Sequence, residues 1–150
     1  MTQTTETYDE AIELLKNDNV RITKQRTSML DYLFNKRDYY VPITEIDHKL
    51  RQEFSRMSYE TVYRNVEMLE ELHVVETRMF NNGLRAKYQC DFNNINHSHF
   101  ICENCGKVVE LDQPSIDDVK KKIPNFQIEK QHYEVMGLCD ECVKKLNTDK

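Results

Sequence analysis

The chain has 150 residues, 39% hydrophobic and 31% charged, with a formal net charge of −5. That length fits one compact domain or two small ones, and only three glycines and three prolines exclude a low-complexity chain. No apolar run approaches the ~20 residues of a membrane span and no stretch reads as a signal peptide, so a soluble, cytoplasmic protein is expected.

The first half reads as helices. Thr7-Tyr8-Asp9-Glu10 has the form of a capping box, with Ile12, Leu14 and Leu15 following at helical spacing. Thr23 can cap a second helix whose apolar face holds Met29, Leu30, Leu33 and Phe34. Pro42 leads into a third, carrying Ile46, Leu50 and Phe54. Ser58 can cap a fourth, with Glu60 in its first turn complementing the dipole. On that fourth helix Val62, Val66 and Leu69 cluster on one face, while Glu60, Tyr63, Arg64 and Glu67 lie broadly on the other. The charge is uneven: Arg21 to Arg64 holds nine Lys/Arg against six Asp/Glu, a local net of +3. Phosphate contacts need such a stretch, although an ordinary solvated surface and a Glu60–Arg64 i,i+4 pair would look the same.

The period then changes to two. His73–Phe80 and Leu84–Cys90 read as strands around Asn81-Asn82-Gly83, a tight-turn signal that pairs position 76 with about 88 or 89. Helices followed by a β-hairpin make a winged helix-turn-helix. The polar residues 91–96 read as a hinge. Beyond it, His97–Cys102 and Lys107–Asp112 are expected as short strands. Pro114–Lys122 is expected as a helix with Ile116 and Val119 on its buried side, and Phe126–Leu138 as a long strand. The fold class is therefore α+β, with a winged-helix domain over 1–90, a hinge over 91–96 and an α/β dimerisation domain over 97–150. About fifty residues bury little core unaided, so a metal clamp and a dimer interface are both expected there.

The clamp is visible as two Cys-x-x-Cys pairs, Cys102/Cys105 and Cys139/Cys142. Four soft ligands in two knuckles make the closed tetrahedral set of a structural zinc, one per chain. Two disulfides would need an oxidising compartment and would leave Cys90 odd. A thioredoxin-like pair would open a helix after a strand, whereas the first pair reads Cys-Glu-Asn-Cys-Gly-Lys.

A second constellation lies across the hinge. Cys90, His97 and His99 fall within ten residues, His97 and His99 share a strand face, and Glu76 is placed near Cys90 across the wing. Taken singly, Cys90 could be a packed thiol, the two histidines surface residues and Glu76 a solvated carboxylate. Together they form a candidate regulatory site for a second zinc, with Glu110 as a weaker extra candidate. His48 and His73 read as structural. No phosphate loop and no nucleophilic triad is evident, so no enzymatic activity is expected.

Three stretches, Arg21-Ile22-Thr23-Lys24-Gln25-Arg26, Glu60-Thr61-Val62-Tyr63-Arg64-Asn65 and His97-Ser98-His99-Phe100-Ile101-Cys102-Glu103-Asn104-Cys105-Gly106-Lys107, resemble the ferric-uptake-regulator family of metal-dependent repressors. The resemblance covers about Ala11 to Cys142. It implies a winged-helix DNA-binding domain, a dimerisation domain and a symmetric homodimer on a palindromic double-stranded operator. Iron- and peroxide-sensing members typically carry a histidine where this chain has Val41, and an acidic residue where it has Gln89. The zinc-uptake-regulator subgroup resembles it more in pairing an acidic residue at Glu76 with a cysteine at Cys90. An additional family site is matched only at Glu110, with Asn96, Ser98 and Gln131 departing. The resemblance also implies DNA contacts by Tyr63 and Arg64 at bases or backbone, by Ser58 and Thr61 at phosphates, and by Arg21, Lys24 and Arg26 at backbone or minor groove. The expected function is zinc-responsive repression of metal-uptake genes. The alternatives are a family sensor of iron, manganese or peroxide, a zinc-ribbon module without a DNA target, and a thiol hydrolase using Cys90 with His97.

Overall fold

The computed structural model describes residues 2–89 and 98–148, with side chains from Tyr8 onward. The chain divides into two compact units, Met1–Asn93 and Asn94–Lys150. Cys90, the expected hinge and His97 lie outside the described residues.

The first unit holds four helices, α1 (Thr2–Asn17), α2 (Lys24–Asn35), α3 (Ile43–Glu53) and α4 (Tyr59–Glu71), with a sheet of β1 (Val41–Pro42), β2 (Val75–Phe80) and β3 (Gly83–Tyr88). Capping chemistry sets several boundaries. The Thr23 hydroxyl accepts from the Arg26 amide at 3.2 Å, and the Ser58 hydroxyl from the Thr61 amide at 3.1 Å. α1 and α4 both end in left-handed residues, Asn19 (φ 59°) and His73 (φ 61°). At each end the next amide reaches back five residues, Val20 to Leu15 and Val74 to Leu69, both at 2.9 Å. These are Schellman ends, and they account for a structural His73. α1 starts upstream of the expected Thr7 box: with no break before it, the helix continues back to Thr2.

Side chains at helical spacing meet in one core. Leu15 of α1, Leu30 and Leu33 of α2, Ile46 and Leu50 of α3, and Val62, Val66 and Leu69 of α4 are buried there with Val75, Ala86 and Tyr88 of the sheet. Sheet order is β1-β3-β2, antiparallel throughout. β1 was not expected; two residues carry no readable period, and the pairing of Val41 with Ala86 makes it a strand.

The hairpin register differs from expectation. A two-residue connection closes on Phe80↔Gly83, so Glu76 faces Lys87 rather than residue 88 or 89. The positive φ falls on Gly83 (+125°), outside the range that a side chain adopts easily. A one-residue shift changes faces: Val75, Ala86 and Tyr88 point to the core, and Glu76 shares the opposite face with Arg78, Arg85 and Lys87.

The second unit holds a sheet of β4 (Ser98–Cys102), β5 (Val108–Leu111) and β6 (Glu134–Gly137), order β5-β4-β6, with α5 (Asp117–Lys122) and α6 (Asp140–Thr148). Two expectations are corrected. The long strand over Phe126–Leu138 shrinks to β6, because only those four residues find a partner, in parallel with β4. α5 buries nothing; Val119 is 45% exposed. α6, which follows Cys139, was not expected. No described helix is long and apolar enough to cross a membrane.

Candidate metal centre and nucleic-acid interface

In the second unit four thiols converge. Cys102 ends β4, Cys105 lies on the turn before β5, Cys139 immediately precedes α6, and Cys142 is in its first turn. Their sulfurs all lie within 4.8 Å of one another, with Cys105 Sγ 3.7 Å from Cys139 Sγ. Four sulfurs at ~2.3 Å from a central zinc stand about 3.8 Å apart, whereas a disulfide needs ~2.05 Å; all four are free thiols. The spacing, the tetrahedral count and the soft donor set fit a structural zinc.

The backbone has been shaped around these sulfurs. Gly106 (φ 83°) turns the knuckle, and the Cys105 and Cys139 amides point at Cys102 Sγ from 3.5 and 3.4 Å. Burial pushes the Cys102 thiol up. The amides of Cys105, Cys139 and Asn104 outweigh it and bring the group down to about 6, a thiolate at neutral pH. Cys105 is pushed up to about 12, first by burial and further by its neighbouring thiols. The Asn104 side-chain amide donates to Cys142 Sγ at 3.2 Å, and the N-terminal end of α6 adds its positive dipole beside Cys139 and Cys142.

The second constellation is divided between the units. Glu76 is exposed on the outer face of β2, and its Oε2 accepts from the Tyr40 hydroxyl at 3.2 Å. Tyr40 is buried, and its phenol is pushed up to about 12 by that burial and by the Glu76 carboxylate, against the opposing effect of Arg78. It is therefore a fixed donor. His99 lies half-buried on β4, the middle strand, with Glu110 across from it on β5 and Glu134 on β6. Glu134 also meets His132 Nε2 at 3.1 Å.

The residues expected at DNA lie at the start of α2 and in the first turns of α4. Arg21 and Lys24 are exposed. Arg26 is not free to reach outward: its Nε donates to Asn65 Oδ1 at 3.2 Å and its Nη1 to the Arg21 carbonyl at 2.7 Å. It joins α2 to α4. Ser58 and Thr61 serve the cap, their hydroxyls 2.9 Å apart. Tyr63 is half-buried, its ring resting partly on the core rather than standing wholly on the outer face. Arg64 is exposed and donates to Glu60 at 2.6 Å. Sequence reasoning missed Asn65 and Tyr40; both act through partners 36 or more positions away, for which no local signal exists.

The model of the ferric uptake regulator family matches residues 17–136. The chain belongs to that family. It is 34% identical over 139 residues to a ferric uptake regulation protein of Staphylococcus epidermidis, covering 93% of this chain and 98% of that protein. To the peroxide operon regulator of Bacillus subtilis it is 37% identical over 142 residues, covering 92% and 94%. Among solved structures, the Helicobacter pylori ferric uptake regulator superposes with a TM-score of 0.65 at 22% identity, covering 93% of each chain. A zinc uptake regulator complexed with zinc and DNA superposes with 0.64 at 24% identity, covering 96% and 97%. At those identities the superpositions show the fold: α+β, N-terminal helices and a C-terminal sheet domain bearing the four cysteines. The family member is a metal- or peroxide-responsive, DNA-binding transcriptional regulator, not an enzyme. The relatives' names divide between iron, peroxide and zinc, so they do not select the subgroup.

Proposed function

We propose that this regulator is a zinc sensor of the zinc-uptake subgroup, a homodimer that represses metal-uptake genes from a palindromic operator. The observation that carries the choice of metal is the sequence placement of Cys90 close to His97 and His99: a thiol among the ligands favours zinc over the N/O-preferring iron, with Glu76 as the proposed carboxylate. In this reading the four-cysteine zinc maintains the dimerisation unit, and the second set ties wing to dimerisation unit when zinc is abundant. A coupling of ~1–3 kcal/mol gives roughly a 5–150-fold change in operator affinity. Binding requires deprotonated Cys90 and neutral histidines, so sensing weakens in acid.

The dimer reading is supported by an apolar surface on the second unit. Val109, Val135 and Leu138, each at least 36% exposed, line one open groove with Phe100 and Leu111, an apolar surface of the kind that marks an interaction face. For DNA, the exposed Arg21, Lys24 and Arg64, with the cap hydroxyls of Ser58 and Thr61, are the proposed contacts, Tyr63 offering its edge. Arg26 is retained as a DNA-facing candidate only through the shape it gives the α2–α4 pair.

The S. epidermidis and B. subtilis relatives favour a second reading, an iron or peroxide sensor. One operator-binding titration across zinc, iron(II) and manganese, with the parent and Cys90→Ser, separates the two. Zinc should give the tightest binding, and Cys90→Ser should abolish that preference. An unchanged zinc response in Cys90→Ser rejects the zinc assignment.

A further inference from the structure

Asn65 stands on α4 next to Arg64, half-buried at the edge of the stripe of Val62, Val66 and Leu69. Its Oδ1 accepts from Arg26 Nε at 3.2 Å, and Arg26 Nη1 donates to the Arg21 carbonyl at 2.7 Å. One planar guanidinium therefore spans two acceptors, a side chain on α4 and the backbone of the segment between α1 and α2. The ends of that segment are held locally. The Val20 amide reaches back to the Leu15 carbonyl at 2.9 Å, and Thr23 caps α2 through the Arg26 amide at 3.2 Å. Between these ends Arg21 is exposed, and the Asn65–Arg26 chain relates its backbone to α4. The charge of Arg26 is directed inward, which leaves Arg21 and Lys24 as exposed cations at this end of α2, with Arg64 exposed on α4.

We propose that Asn65 is a positioning residue for DNA binding: through Arg26 it fixes the Arg21 backbone relative to α4, so that Arg21 and Arg64 meet one duplex at a set spacing. The inference rests on the proposed DNA contacts of Arg21 and Arg64. Phosphates stand at fixed separations along a duplex, and contacts to them set the register of a protein on it. A segment ordered only at the moment of binding lowers affinity by its ordering cost, and a segment held beforehand avoids that cost. A hydrogen bond that merely satisfied Asn65 and packed α2 on α4 would change stability and leave the number of phosphate contacts as it was.

The test measures binding of the full chain to a duplex that the parent chain selects from random DNA, over a series of salt concentrations. The metal is the one that gives the parent its tightest binding. Arg21→Ala should flatten the slope of log affinity against log salt by about one unit for each protomer bound. Near physiological salt it should weaken binding by about fivefold per protomer. Asn65→Ala removes no charge, yet it should flatten the slope in the same direction and weaken binding by about three- to fivefold per protomer. Arg26→Lys, which keeps the charge but not the fork, should reproduce Asn65→Ala. Added to Arg21→Ala, Asn65→Ala should change affinity by less than about twofold, because no Arg21 contact is left to position. If Asn65→Ala stays within about twofold of the parent with an unchanged slope, while Arg21→Ala lowers both, the positioning role is wrong and Arg21 stands as a DNA contact. Equal weakening by Asn65→Ala with and without Arg21 also overturns it, since Asn65 would then act on DNA by another route. If Arg21→Ala changes neither affinity nor slope, the DNA contact of Arg21 is itself wrong, and the role of Asn65 falls with it. Thermal unfolding of each variant accompanies the titration, because a loss of stability alone does not move the salt slope.

Discussion

Hydrocarbon from four helices and a sheet fills the interior of the first unit, with Leu15, Leu30, Leu33, Ile46 and Leu69 all at 0% exposure. In the second unit a buried cluster consists of Cys102, Cys139 and Cys142, with Phe100 and Cys105 against it. The apolar side chains of that unit point largely the other way, outward on the sheet and on α6. The first unit has the means to stay folded on side-chain packing. The second replaces much of a core by a four-thiol cluster and leaves much of its hydrophobic surface exposed. In the proposed function this division suits a regulator whose first unit reads DNA and must be stiff and whose second unit dimerises and must be clamped.

The largest break in that comparison is removal of the structural zinc. Zinc bound by such a thiolate set contributes roughly 10–16 kcal/mol of folding free energy in small domains. A strong chelator should unfold the second unit and abolish self-association, while helical circular dichroism from α1–α4 persists. A stable, self-associating, metal-free second unit would contradict the clamp. Acid should reach the same end gradually. Because the amides lower the Cys102 thiol to about 6, its contribution is fully present only above the ordinary thiol range and is lost as pH falls through about 6. Protons compete with the metal for all four sulfurs, so zinc should be released progressively as the solution is acidified, read with a chromogenic chelator. Zinc content that stays unchanged until the first unit also unfolds would contradict thiolate ligation.

A cavity in the other core should behave in the opposite way. Leu69→Ala empties a fully buried site on α4 and should cost about 2–5 kcal/mol. Denaturant unfolding of the first unit should move accordingly, with zinc content per chain unchanged. Loss of zinc together with that stability would mean that the two units do not fold by separate means.

How much of this was legible in the sequence follows the same division. Ligand spacing is local, so the four cysteines and the Gly106 turn could be read directly. Helical period and caps exposed α2, α3 and α4. What escaped depended on partners far along the chain. Phe126–Leu138 alternates like a strand, yet only Glu134–Gly137 meets β4. β1 exists only because β3 lies beside it. The Arg26–Asn65 and Tyr40–Glu76 bonds join elements that no window of residues contains. α6 escaped because nine mostly polar residues carry little helical period, although Cys142 needs its first turn. Cys90 and His97 are legible as chemistry alone, since they lie outside the described residues.

The smallest effect lies on the exposed face of α4, where stability and function should separate. Arg64 and Glu60 pair at 2.6 Å with side chains 75% and 71% exposed. Such i,i+4 pairs contribute only about 0.3–0.5 kcal/mol. If Arg64 meets phosphate or a base edge, it must leave Glu60 to do so, and the carboxylate left behind repels the DNA. Glu60→Gln removes both costs. Thermal stability should change by less than about 0.5 kcal/mol, while operator affinity should rise by roughly twofold or more, the equivalent of the pair energy. The gain should shrink as salt is raised, because the repulsion removed is a screened one. Weaker operator binding by Glu60→Gln would instead mean that Glu60 holds Arg64 in its reading position. The pair would then be part of the DNA-contacting surface itself, and not a solvated ornament of a rigid helix.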